Sequence, residues 1–153
     1  MYPEWVMRNP NGSAIGWSRC PNGGLSTCVP AWRQTYIKQI LELVDMAQQI
    51  GQQPAFYFDE FPSSPSGDFN GHCRTEFRQR YGYVMPDEPT KDVLAFNQAM
   101  TDEYFTELLA AIRSAAPRAA ALVSIVFAPS LDNHAWMNYS NTIEVPLLLT
   151  CCL

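Results

Sequence analysis

Polar and apolar positions first separate at Trp32, Tyr36, Ile40, Leu43 and Ala47, which recur at spacings of four and three, with Ile37, Leu41 and Val44 widening the stripe. That period describes one face of an α-helix, predicted over 31–50. Pro30 suits its first turn, and Gly51 suits a left-handed residue just past its end. The period then changes. Ala55-Phe56-Tyr57-Phe58 is a short apolar run that meets two acids, Asp59 and Glu60, and is closed by Pro62, which predicts a buried β-strand running into adjacent carboxylates. Pro62 to Asp68 is a polar loop, followed by a helical segment from about Cys73 to Tyr81 and a turn at Gly82. A second long helix is predicted over 90–116, with Thr90 as its N-cap, Pro117 as its stop and Phe96, Met100, Tyr104, Leu108 and Ile112 as its buried stripe. Ala121 to Phe127 reads as a second buried strand, rich in β-branched residues, which opens into a polar and aromatic loop from Ala128 to Trp136.

The two ends lack this periodicity. Residues 1–30 hold scattered prolines and glycines and are expected to form a long loop, ordered by Trp5 and Trp17, with at most the end of a strand at Met1 to Val6. Residues 1–145 are assigned to one domain, and residues 146–153 to an aberrant or unstructured tail, because Leu147 to Leu153 carries neither cap nor turn signal. The alternation of helix and strand predicts an α/β fold with parallel strands. Such folds place their sites in the loops at the strand ends.

The chain has 153 residues, 47% hydrophobic and 16% charged, which fits one globular core. A net charge of −5 and a pI near 4.9 argue against nucleic acid and anionic membrane surfaces as partners. A polar polymer such as a glycan, or a small neutral or cationic molecule, fits better. No terminal apolar run is long enough to span a bilayer, and the first residues lack the pattern of a signal peptide. The five cysteines leave the compartment open: Cys20 and Cys28 flank a Gly-rich loop, and both a local disulfide and free thiols fit them.

The chemistry concentrates at the strand ends. Side chains alternate along a strand, so Ala55, Tyr57 and Asp59 share one face, while Phe56, Phe58 and Glu60 share the other. In a parallel barrel the Phe face would meet the helices, which favours Asp59 as the acid in the central cleft and leaves Glu60 beside it. Asp132, after the second strand, is the candidate second acid, with Glu60 and Glu4 further ones. Trp5, Tyr57, His134 and Trp136 are candidates to contact a sugar through ring faces and polar atoms, although a structural role explains Tyr57 as well and is the more frequent one for a single Trp or His in a loop.

These residues fall into an order with a known counterpart. Pro3-Glu4-Trp5, then Pro30-Ala31-Trp32-Arg33, Phe56-Tyr57-Phe58-Asp59-Glu60, Cys73 with Phe77-Arg78, and Tyr81-Gly82 with Pro86, resemble the glycoside hydrolases called hypothetical glycosyl hydrolase 6 over residues 2–128. That family is similar in barrel organisation to α-L-fucosidases and family 42 β-galactosidases. The resemblance implies a fragment of a (β/α)₈ TIM barrel, with Asp59 as nucleophile at an internal strand end and a carbohydrate as substrate. It implies hydrolysis of O-glycosyl bonds without a cofactor. Family members often carry a cysteine cluster able to bind zinc after the acidic strand. Only Cys73 stands in that segment here, with Asp68, Asn70 and His72 nearby, so no structural zinc is expected.

Three readings therefore stand side by side. A partial glycoside hydrolase leads. A non-catalytic carbohydrate-binding or degenerate remnant is the alternative. A metal-dependent hydrolase using Asp59, Glu60, Asp68 and His72 is disfavoured, because adjacent acids on opposite strand faces converge poorly on one ion. A partial barrel also leaves its sheet edges unpaired, which predicts self-association.

Overall fold

Helix α1 spans Pro30–Gln49, strand β1 Ala55–Phe58, helix α2 Gly71–Tyr81, helix α3 Lys91–Ala115 and strand β2 Ala120–Val123, with a short 3₁₀ turn at Pro3–Trp5. The computed structural model describes residues 2–16, 24–58 and 66–123. Their contacts divide into two compact units, one drawn from Met1–Arg33 and Pro62–Glu103, the other from Gln34–Phe61 and Tyr104–Leu153.

In the second unit, β1 and β2 pair in parallel, with Ala55 opposite Ala120, Phe56 opposite Ala121, Tyr57 opposite Leu122 and Phe58 opposite Val123. Parallel neighbours need a long connection, here supplied by α2 and α3, so the predicted α/β alternation is present. The sheet has two sides of different character. Phe58 is 5% exposed and Ala121 8%, whereas Tyr57 is 52% exposed and Ala55 and Ala120 are also open. The Phe58 ring packs edge-on against Phe105 of α3, with centroids 5.9 Å apart. Tyr36 of α1 meets Tyr104 of α3 in the same edge-to-face manner at 6.5 Å, and Gln48 donates to the Ala115 carbonyl. Tyr104, Phe105, Leu108, Leu109 and Ile112 are buried around these contacts.

The first unit is built on Phe69, Cys73, Phe77, Met85, Val93, Phe96 and Met100, joined by Cys28. The described residues before α1 are more ordered than the predicted long loop. Val6 bridges Leu25, and Arg8 bridges Ala14, both antiparallel. Met7 donates to the Gly24 carbonyl and Ser26 to that of Trp5, at 2.8 and 2.7 Å. Within the expected strand end at Met1 to Val6, Pro3–Trp5 form a 3₁₀ turn instead, because Pro3 fixes a helical φ at its start, and Val6 keeps its single bridge.

Helix ends follow the sequence closely. Thr90 Oγ1 accepts from the Val93 amide at 3.4 Å, which makes it the cap of α3. Gly51 has φ of 69° and closes α1, donating to the Gln48 carbonyl, as expected. Helix α2 begins two residues before the predicted Cys73, because Asn70 caps it by accepting from the His72 amide at 2.9 Å. On α1 the buried line runs through Ile40 and Val44, and Leu43, expected in the stripe, is 51% exposed. A residue one position from the centre of a helical stripe turns by about 100°, enough to leave a narrow interface. Among the described residues, no helix is long and apolar enough to cross a membrane. The tail, the loop from Ala128 to Trp136 and the strand positions beyond Val123 lie outside the described residues, as do Trp17 and Cys20.

Candidate functional site

β1 ends at Phe58, so Asp59 and Glu60 lie just beyond the described residues, as do Asp132, His134 and Trp136. Of the residues proposed to touch a sugar, Tyr57 stands on the open face of β1, and half-buried Trp5 is in the first unit, stacked on Tyr2 with centroids 4.3 Å apart. That stack covers one face of the indole.

Glu4 is exposed and helps line an open cavity of about 530 Å³ with Arg8, Asn70, His72 and Thr75. Arg8 is already engaged there, donating to the carbonyls of Pro3 at 2.7 Å and Gly12 at 3.3 Å. His72 is exposed.

A densely hydrogen-bonded polar cluster among the described residues shares Arg8 and Asn70 with the lining of that cavity. Gly67, with φ of 89°, turns the chain where a Cβ would approach Val93 Cγ1 to 3.1 Å, so only glycine passes here without strain. The turn delivers Asp68, 3% exposed, into the first unit's core. Its Oδ1 accepts from the amides of Arg8 at 3.0 Å and Asn70 at 2.9 Å, and its own amide donates to Asn97 Oδ1 at 3.0 Å. Its Oδ2 lies 3.3 Å from Cys73 Sγ. Burial pushes the Asp68 carboxyl above its ordinary range, opposed by hydrogen bonds from Ser26, Arg8 and Asn70 and by the Arg8 charge. Asn70 Nδ2 donates to the carbonyls of Glu4 and Val6, both at 2.8 Å, so one side chain caps α2 and holds the N-terminal segment.

Cys73 is bonded to Cys28, which corrects the local Cys20 to Cys28 disulfide that the sequence leaves open. The pairing spans 45 residues and joins the segment just before α1 to the first turn of α2. Cys28, Asp68 and Cys73 bring ligand-type atoms within 4.8 Å of one another, but the two sulfurs are shared in a covalent bond and offer no thiolate to an ion. Asp68 and His72, paired in the metal-dependent reading, do not converge: one is buried and the other exposed.

Sequence reasoning missed the structural weight of Asp68 and Asn70. The signal was present in Gly67-Asp68-Phe69-Asn70, where two Asx residues flank an apolar one just before a helix, a pattern suited to turns and N-caps. No protein-family model, curated protein or solved structure matches the chain.

Proposed function

We propose that the chain carries part of the substrate face of a glycoside hydrolase of the (β/α)₈ class, with Asp59 as its nucleophile. The observation that carries this reading is the two-sidedness of the β1 and β2 pair. Phe58 and Ala121 are covered, with Phe58 against α3, while Ala55, Tyr57 and Ala120 are open. A barrel strand has this arrangement, with helices on one side and the central cleft on the other. Were the alternation to run two residues further, Asp59 would share the side of Tyr57.

In this reading the Asp59 carboxylate attacks the anomeric carbon as a second carboxylic acid protonates the departing oxygen, and water then releases the sugar from Asp59. Asp132 and Glu60 are the candidates for the second acid. Tyr57, His134 and Trp136 would hold the sugar through ring faces and polar atoms. The strand edges left by a two-stranded parallel pair would favour self-association of this chain.

The test is hydrolysis of a panel of nitrophenyl glycosides by the wild type and Asp59→Asn. The reading requires turnover by the wild type and its loss in the variant, with sugar binding and the circular dichroism spectrum retained. Sugar binding without turnover in the wild type would favour the non-catalytic alternative, and equal turnover in both would remove Asp59 from the mechanism.

A further inference from the structure

Asp68 presents an acceptor oxygen to a sulfur that has no proton to give. Its Oδ1 is taken by the Arg8 and Asn70 amides, while Oδ2 is turned to Cys73 Sγ at 3.3 Å. In the disulfide that contact is not a hydrogen bond, because the bonded sulfur carries no hydrogen. It becomes one only when Cys73 is a thiol. We propose that Asp68 is the proton acceptor for Cys73 when the Cys28–Cys73 disulfide forms, and the donor that returns the proton when it opens.

The surroundings support this role. Both cysteines are buried, Cys73 at 0% exposed and Cys28 at 5%, and the less enclosed residue, Cys28, is assigned the first encounter with an external disulfide. Burial in an apolar setting disfavours a thiolate, so Cys73 needs a local base before it can attack. Cys73 lies among Phe69, Phe77, Val93 and Phe96, which supply no base. Ser26 Oγ lies 3.5 Å from Cys73 Sγ, accepts from the Cys28 amide at 3.3 Å, and its hydroxyl is bonded to Asp68, which ties base and both cysteines into one cluster. The groups facing Asp68 are Arg8 from the N-terminal segment, Ser26 from the segment before α1, Asn70 and Cys73 from α2 and its cap, and Asn97 from α3. Of these, Arg8 brings the charge that acts on it, and burial raises the proton affinity of the carboxyl against that charge.

The step balances with a low-molecular-weight disulfide, R–S–S–R, as oxidant. The Cys28 thiolate attacks it, forming Cys28–S–S–R and releasing R–S⁻. Cys73 passes its proton to Asp68 Oδ2, and its thiolate attacks Cys28 Sγ, forming the Cys28–Cys73 bond and releasing a second R–S⁻. The leaving thiolates take up the two protons given by the cysteines, one by way of Asp68. Two electrons pass from the cysteine pair to R–S–S–R, which leaves as two R–SH.

The test follows the reduced full chain as it reacts with oxidised glutathione, with acid quenching and mass spectrometry to separate dithiol, mixed disulfide and closed forms. In the wild type the Cys28 mixed disulfide should barely accumulate, and its closure should change less than about threefold between about pH 6 and pH 8. In Asp68→Asn the mixed disulfide should accumulate, closing at least about tenfold more slowly at the lower pH and speeding up by about tenfold per pH unit, as an unassisted thiol does. Equal closure rates and equal pH slopes in the two proteins would overturn the proposal. So would a difference that persists in denaturing guanidinium, where the cluster is gone. If Asp68→Asn fails to fold, the wild type decides alone: a shallow pH profile supports the proposal, and a tenfold rise per unit overturns it.

Discussion

Phe58 stands edge-on to Phe105 with ring centroids 5.9 Å apart and planes at 88°, while Tyr57, its neighbour in the strand, is 52% exposed. One strand thus presents a packed side and an open side. Residues that pack should carry stability, and residues on the open side should carry function.

That division predicts different costs for truncation. Phe105→Ala removes a buried ring and should destabilise by about 3–5 kcal/mol. Tyr57→Ala should cost about 1 kcal/mol or less, because half of its surface is already in water. Urea unfolding of the two variants checks the difference, and equal costs would mean that the open side is a packed one.

The Cys28–Cys73 bond should be a major source of stability. It closes a loop with a sequence separation of 45, which in the chain-entropy account is worth about 4 kcal/mol. The Cys28→Ala, Cys73→Ala double variant should therefore unfold at markedly lower urea than the oxidised wild type. A midpoint unchanged between the two would show that the bond is absent in solution.

Asn70 joins two elements, so its substitutions should separate its two roles. Asn70→Ala loses both the α2 cap and the bonds to the Glu4 and Val6 carbonyls, and should cost roughly 2–3 kcal/mol. Asn70→Asp keeps a capping oxygen but loses both donors. Hydrogen exchange should then report loosening at residues 4–8 with α2 intact; loosening of α2 alone would contradict the staple role.

Asp68 should make stability depend on pH. Its folded proton affinity is raised by burial, so the folded state binds more protons than the unfolded one above the ordinary value of 3.8. The contribution of this group therefore falls as pH rises from that value through the raised folded one. Asp68→Asn removes the titration, and the variant should lose less stability than the wild type between about pH 4 and pH 7. Thermal melts of the oxidised proteins across that interval measure it. Parallel profiles would mean that the carboxyl titrates normally.

How much of this was legible in the sequence depended on the range of the interactions. The buried residues of α3, Phe96, Met100, Tyr104, Leu108 and Ile112, show in the sequence because a helix repeats its contacts every three or four residues. Parallel pairing of β1 and β2 follows from the helices between them. The bridges of Val6 with Leu25 and Arg8 with Ala14 were invisible, since isolated antiparallel pairs leave no period. The Cys28–Cys73 bond was equally hidden, because five cysteines allow many pairings and spacing favours none of them. Leu43 was misplaced because a stripe read from apolar residues alone cannot tell which of two neighbours, Leu43 or Val44, faces inward. Within the candidate site, the side occupied by Tyr57 was legible from strand alternation, whereas the burial of Asp68 depends on a turn at Gly67 and partners distant in sequence.

The central claim is that Asp59 is a glycosidase nucleophile, and the most direct measurement is covalent trapping. A 2-deoxy-2-fluoroglycoside with an activated leaving group slows release of the glycosyl enzyme, and peptide mass spectrometry then locates the sugar. The account predicts one glycosyl adduct, on the peptide containing Asp59, that is lost in Asp59→Asn. An adduct on another residue, or none on Asp59 under conditions in which the wild type binds the sugar, would contradict it.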